Sequence, residues 1–386
     1  MESPPGGPYR NRRIAAAVSH TIALRSDGAV WTWGSNYSGQ IGNGEQGDYG
    51  VSMPYHVELP TKAIAVSAGL DNNAALLVDG TIMVWGTNDD GRLGLDGVNH
   101  AHTPVAIPDL PRMVDIACGS TFMLALDEKG QVWSWGGNFS GTLGDGRQGK
   151  NQWRTTPQPI RDLPPIKQID AGEDYCLALD RDNVVWGWGS DEVGQLALRE
   201  PISDHFTENT FGPNQTGEYL ELAARWCHPS PEKLPGLKNI VTVSAGVDHA
   251  LYIDQTSSLW VCGANAWGQL GLGSRDTVTA PAKIPNLENV IGACGGELHT
   301  LAASRDGSVW AWGSNRYGEL GHATEAQRIP YPLLVDRIEG AIAVAAGSHY
   351  SLALTADDQL YSWGRNHRGQ LGDGTLVDRA APVRVH

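Results

Sequence analysis

The residues of this 386-residue chain best equipped for chemistry stand in short loops ahead of apolar runs, as in "AGEDYCLALD", "AGVDHALYID", "GGELHTLAAS" and "AGSHYSLALT". Aligned on the run, one position holds His20, Asn72, Phe122, Tyr175, His249, His299 and Tyr350. The place before it holds Ser19, Asp71, Thr121, Asp174, Asp248, Leu298 and His349, and Glu173 and Glu297 stand one place further back. If these runs line a channel, carboxylates and imidazoles share its mouth, with the aromatic rings of Tyr175 and Tyr350 among them. Such groups can exchange protons as acid–base pairs, or form a contact surface for a protein partner. A plainer use of His20, His249 and His299 is a hydrogen bond to the backbone of a neighbouring unit, repeated as a latch. The five carboxylates (Asp71, Glu173, Asp174, Asp248 and Glu297) break the repeat, which leaves a solvated rim and a contact surface both open.

The loops recur because the chain recurs. A Trp-rich phrase ends in Gly34, Gly86, Gly136, Gly189, Gly263, Gly313 and Gly364, at spacings of 52, 50, 53, 74, 50 and 51. Its copies include "VWTWGSNYSGQIG", "VWSWGGNFSGTLG" and "VWAWGSNRYGELG". An apolar run lies upstream of each copy and a Pro-led run downstream, such as "PVAIPDLP" or "PAKIPNL". Four short runs per repeat, parted by Asp-Gly and Gly-rich turns, predict a four-stranded antiparallel meander. Seven meanders predict an all-β, seven-bladed β-propeller, which leaves only short protected edges. The last run, Pro382 to Val385, is expected to close the ring by pairing with the N-terminal blade. Residues 1–13 read as a flexible tail and residues 14–386 as the propeller, with an insertion at about 199–230 in the fourth repeat.

Within the phrase, Trp31 and Trp33, or Trp310 and Trp312, fall on one face of an alternating strand and can pack between blades. Asn36, Asn88, Asn138, Asn265, Asn315 and Asn366, with Asp191 in the fourth copy, stand two residues after the Gly. A side chain that caps its own turn accounts for them.

Composition narrows the function. Lys plus Arg number 28 against 43 Asp plus Glu, a formal net charge of -15. A surface of that sign argues against nucleic acid and anionic membranes as partners. The five cysteines are odd in number and scattered, which suits buried free thiols in a reducing, cytoplasmic setting. No run nears the ~18 apolar residues of a membrane helix, and "MESPPGGPYRNRR" has no apolar signal core. No Gly-x-Ser-x-Gly, P-loop or His-Glu-x-x-His is present, and His205, Cys227 and His228 match no zinc spacing, so no cofactor or metal is expected. Nothing selects a reaction.

The combination Ala-Gly-x-x-His, Asp-Gly, Val-Trp-x-Trp-Gly-x-Asn and Gly-Gln-Leu-Gly resembles the repeat of the regulator of chromosome condensation family, from residue 14 to residue 386 outside the insertion. The family's founding member uses this loop set to promote nucleotide exchange on the small GTPase Ran. By position, the resemblance implies such roles for Asp71, Asp174, Asp248, His299 and His349. Two features depart from it: no phrase loop is long enough for the exchange factor's β-wedge, and no basic run extends beyond Arg10, Arg12 and Arg13. Ultraviolet-B photoreception on this fold uses Gly-Trp-Arg-His-Thr, where this chain reads "GVDHA", "GELHT" and "GSHYS" without Trp. The insertion carries "GEYLELAARWCH", whose Tyr219, Leu222 and Trp226 have helix-like spacing. An irregular loop on a rigid ring is a common place for recognition. The expected function is therefore a monomeric protein-binding propeller, using the channel mouth with Tyr219 and Trp226. Guanine-nucleotide exchange on a small GTPase is the alternative, and a hydrolase or lyase using Asp/Glu and His is a third reading.

Overall fold

In each repeat, runs of Ala, Val, Ile and Leu are cut by turns that only certain residues can make. In the first, Ile14–Ala16, His20–Leu24, Val30–Ser35 and Gly50–Val57 are strands. The tight turn between the second and third uses Gly28 at φ 91°, with Asp27 accepting the Ala29 amide at 2.9 Å. The computed structural model describes residues 12–198, 226–322 and 324–385. Among these, seven sheets of four strands form, each antiparallel and in sequence order. The chain is a seven-bladed propeller, as the repeat predicts.

The first strand of each blade faces the central channel and ends in small residues, such as Ala245-Gly246 and Gly295-Gly296. The second strand is buried along nearly its whole length, and the fourth alternates partly buried with exposed residues. The third ends in the Trp phrase, and its inner Trp plugs the seam between blades. Trp33, Trp85, Trp135, Trp188, Trp312 and Trp363 are essentially sealed. Each indole N–H donates to a carbonyl of the preceding blade: Gln370, Gln40, Arg92, Thr142, Gln269 and Glu319 respectively. In blade five Cys262 replaces the Trp, and its thiol reaches the Gln195 carbonyl at 3.4 Å. Truncating such a Trp to Ala costs on the order of 3–5 kcal/mol. Gly34, with φ 104°, is required because a Cβ there would stand 2.4 Å from the Ser19 carbonyl oxygen. The phrase Asn does cap its own loop: Asn36 Oδ1 accepts the Ile41 amide at 3.1 Å, and Asp191 repeats the bond to Leu196 at 2.7 Å.

Ring closure differs from expectation. The last strand, Arg379–Arg384, pairs with Leu360–Gly364 of its own blade and not with the first blade. Blade one is complete because Ile14–Ala16 supplies its inner strand, so repeat and blade coincide and no edge is left vacant. The closing seam is held like the other six. Trp33 donates to the Gln370 carbonyl, the Tyr350 hydroxyl donates to the His20 carbonyl, and Ile14, Ala23 and Trp33 pack with Ala343, Tyr350 and Leu352.

Arg12 and Arg13, expected in the tail, are tied to the ring. Arg13 pairs with Asp358 of blade seven, while Arg12 spans the channel to Asp115 of blade three at 3.2 Å and Asp170 of blade four at 3.0 Å. All five cysteines are free thiols, with Cys118, Cys176 and Cys262 buried. Among the described residues, no helix is long and apolar enough to cross a membrane.

Candidate functional site

The loops joining first to second strands of all seven blades converge on one mouth of the channel, a depression of roughly 410 Å³. Its rim is uneven. Blades one and two present exposed Val18 and Leu70, whereas blades four to six present Glu173, Asp174, Asp248 and Glu297. Partial desolvation, then Asp174, Asp248 and Glu297, push the Glu173 carboxyl up to about 7. Desolvation, then Asp174 and Glu297, push Asp248 up to about 6. Desolvation also raises Asp174, against a hydrogen bond from Ser120. Among the described residues, no Lys or Arg makes an ion pair with these carboxylates, and His349 Nε2 lies 3.9 Å from Glu297. Asp71 belongs to blade two and accepts Gln40 Nε2 at 3.0 Å.

The expected imidazole and aromatic ring at the mouth is absent. Tyr175, His249, His299 and Tyr350 are fully buried, as is His20. The second strand, which carries them, stands one layer behind the channel wall, and their side chains turn into the seams. His249 Nε2 lies 2.8 Å from Thr300 Oγ1, His299 Nε2 lies 3.0 Å from Ser351 Oγ, and His20 Nε2 lies 3.2 Å from Asn73 Oδ1. These are latches between blades, made to side chains where backbone partners were expected. The tyrosines do latch backbone, Tyr175 donating to the His249 carbonyl at 2.7 Å. Burial holds the His249 imidazole down to about 4; burial, then His349 and His249, hold His299 down to about 3. Both are neutral at physiological pH and out of reach of a ligand at the mouth.

His349 alone of the candidate histidines stays near the surface. Its Nε2 is 3.9 Å from Glu297 Oε2, its Nδ1 is 3.7 Å from Glu319 Oε1, and Tyr317 packs at 5.1 Å between ring centroids. Desolvation lowers its pKa against the pull of Glu297. Glu319 was not a sequence candidate. It occupies the place of Gln40, Gln195, Gln269 and Gln370, whose side-chain oxygens accept a loop amide, and it keeps that bond to Tyr317 N at 2.8 Å. The signal was the Glu of "GELG" where four sister copies have Gln. Arg12, Asp115 and Asp170 were also missed, and no motif marks them.

Among the described residues, no group of three or more His, Cys, Asp or Glu side chains could hold a metal ion. Tyr219 and most of the insertion lie outside the described residues. Its far end is fixed where the Trp226 carbonyl accepts the Asp191 amide at 2.7 Å, and next to this the Ser190 amide reaches the Asp174 carbonyl at 2.8 Å. The insertion therefore leaves and re-enters blade four beside the acidic mouth, between the strands Val185–Ser190 and Cys227–Lys233.

A closed ring of seven four-stranded antiparallel blades defines the β-propeller class of protein. The chain belongs to the family of the RCC1-like domain, whose model matches residues 6–216, and regulator of chromosome condensation (RCC1) repeats match residues 257–303, 306–354 and 357–386. It is 29% identical over 410 residues to the ultraviolet-B receptor UVR8 of Arabidopsis thaliana, covering 96% of this chain and 80% of that one. It is 25% identical to the guanine nucleotide exchange factor SRM1 of Saccharomyces cerevisiae (96% and 73% covered) and to the human regulator of chromosome condensation (96% and 76%). The structure is similar to human WBSCR16 (TM-score 0.78, 22% identity, 93% and 94% covered) and to yeast Prp20p (0.79, 22%, 100% and 90%), which share its fold. At the Trp position of Gly-Trp-Arg-His-Thr this chain has Val247, Glu297 and Ser348.

Proposed function

We propose that this propeller binds a protein partner at the channel mouth, where Glu173, Asp174, Asp248 and Glu297 receive a lysine, an arginine or an N-terminal amine. The observation that carries the reading is the gathering of these carboxylates at one partly desolvated rim, where burial first and their mutual repulsion second lift Glu173 to about 7 and Asp248 to about 6. A partner cation would relieve that repulsion at the moment of docking, so the rim favours a cationic visitor over any other. Trp226, at the described end of the insertion, lies beside the mouth, and the insertion with Tyr219 is proposed to flank the same partner. The protein acts as a monomer in a reducing, cytoplasmic compartment, in keeping with its free thiols.

The test is capture of partners by wild type and by the double variant Glu173→Gln/Asp248→Asn, with a Lys-rich peptide as competitor. Loss of capture in the variant, and competition in wild type, support the reading. Equal capture by both proteins refutes it.

Guanine-nucleotide exchange is the second reading, favoured by the relationship to SRM1 and by Asp174 and Asp248 lying at the mouth. Accelerated release of a fluorescent nucleotide from a small GTPase, lost on Asp174→Ala, would establish it. His299 takes no direct part in either reading, being sealed in a seam. No observation favours a hydrolase or lyase.

A further inference from the structure

The mouth face carries a second chemistry, on blades five to seven. The loop after each Trp phrase presents two residues following the recurring Asn or Asp. Around the ring these are Tyr37-Ser38, Asp89-Asp90, Phe139-Ser140, Glu192-Val193, Ala266-Trp267, Arg316-Tyr317 and His367-Arg368. Blades two and four are acidic there, and blades six and seven are basic. The residue before the Asn is Ser, Thr, Gly or Ala in six copies and Arg365 in the seventh.

These departures assemble into stacks. Arg316 and exposed Arg328 both lie against the ring of Trp267, at 5.4 and 4.8 Å from its centroid. Arg365 lies 4.7 Å over Tyr317, whose ring contacts His349 at the mouth. Among the described residues, none of these three arginines is in an ion pair, whereas the neighbouring Arg368 holds Asp48 at 2.6 Å. Glu319 senses Arg316 but is sealed, its oxygens taken by the Ser314 hydroxyl and the Tyr317 amide. A guanidinium laid on an aromatic ring has its plane fixed and its N–H edge free, the geometry that receives a carboxylate with two parallel hydrogen bonds. Three such groups on blades six and seven, each laid on a ring of the preceding blade, stand out on a chain of net charge -15.

We propose that Arg316, Arg328 and Arg365, held on Trp267 and Tyr317, form a docking ledge for an acidic segment of a protein partner. An extended peptide places alternate side chains about 7 Å apart on one side, so Asp or Glu at every second position can meet successive guanidiniums. The aromatic rings between them accept the apolar part of the segment. The ledge adjoins the acidic mouth through Tyr317 and His349, and deepens the partner-binding reading by fixing the partner's orientation: cationic group inward, acidic segment over blades five to seven.

The experiment treats the ledge apart from the mouth. A fluorescein-labelled twelve-residue peptide of alternating Glu and apolar residues is titrated with the full chain and followed by anisotropy, at 50 and 150 mM salt. Expected are saturable binding that weakens with salt, a loss of roughly tenfold or more in Arg316→Ala/Arg328→Ala, and a smaller loss in the double Lys variant, which keeps charge without the planar fork. The mouth variant Glu173→Gln/Asp248→Asn should bind the peptide undiminished, so failure of the ledge and failure of the mouth give different results. Circular dichroism melts confirm that each variant is folded. Absence of saturable binding by wild type, or equal binding by the double Ala variant, overturns the proposal. So does an oligonucleotide that binds more tightly through the same arginines, or a concentration-dependent dimer in light scattering that the double Ala variant abolishes, since each gives the ledge another occupant.

Discussion

Replacing Arg12 with Met should destabilise the ring by about 3 kcal/mol at pH 8, although Arg12 precedes the first strand. Its guanidinium reaches Asp115 Oδ1 at 3.2 Å, Asp170 Oδ1 at 3.0 Å and the Ile169 carbonyl, so one side chain from blade one ties blades three and four across the channel. The side chains of Arg12, Asp115 and Asp170 are only 15%, 5% and 16% exposed. Removing one partner of a buried ion pair costs roughly 3–5 kcal/mol, because the charge left behind stays out of water. The lower end applies here, since Asp115 keeps the Ile116 amide and Asp170 keeps the Ala245 amide. Burial already raises the Asp115 carboxyl, and Arg12 opposes that rise. In Arg12→Met the carboxyl rises further, so the orphaned charge is neutralised on acidification and the deficit shrinks as pH falls. Urea denaturation followed by Trp fluorescence at pH 8 and pH 5 measures both effects. The double variant Arg12→Met/Asp115→Asn should recover at least about 1 kcal/mol of the sum of the single losses. A deficit under about 1 kcal/mol at pH 8, or one that does not change with pH, would refute the strut.

Four further outcomes follow from the seams, the mouth and the terminal strand. Glu173→Gln should stabilise the folded chain at pH 8 but not at pH 5: a carboxyl raised to about 7 in the folded state favours folding only at low pH and loses that contribution as pH rises, which melting curves of variant and wild type at both values will show. The buried imidazoles act oppositely, since His249 and His299 stay neutral down to about 4 and about 3; their stabilising contribution holds above pH 6.5 and falls away on acidification, and a His299→Gln melt should lose part of that acid sensitivity. Tyr350→Phe removes the hydroxyl joining Thr21 and the His20 carbonyl across the closing seam, with an expected loss of about 1–3 kcal/mol in denaturant titration. Deleting residues 379–386 strips the outer strand of blade seven only, so amides of Ile14–Val57 should keep their hydrogen-exchange protection, which strand exchange between the terminal blades would forbid.

The propeller was legible because Trp, Gly and Asn of the phrase each have one duty in every blade where they occur, and a repeated duty leaves a repeated letter. Closure was misread for the opposite reason. The innermost strands, "IAA" or "AIAVSA", carry no signature, so the sequence does not show whether the Pro-led strand finishes one blade or begins the next. The histidines were misplaced by one layer, because alternation tells which way a side chain points within its sheet but not which strand stands next to the channel. Arg12 left no trace at all, since its partners lie 103 and 158 residues away and periodicity is blind to a contact made once.

That asymmetry also says where to look for function on a repeated scaffold. Asn36 and its six counterparts make the same loop bond, so they carry no information about a partner. The side chains of Glu173, Asp248 and Glu297 on one sector cap no turn, and those of Arg316, Arg328 and Arg365 on the next lie on a ring of the preceding blade at the surface, outside the sealed Trp seams. Their charges are opposite, adjacent and confined to one face. A symmetric ring cannot tell its partner which blade to meet, whereas a ring charged in this way offers one favourable angle out of seven. Breaking the repeat at these positions therefore costs little stability and supplies the orientation that specific docking requires.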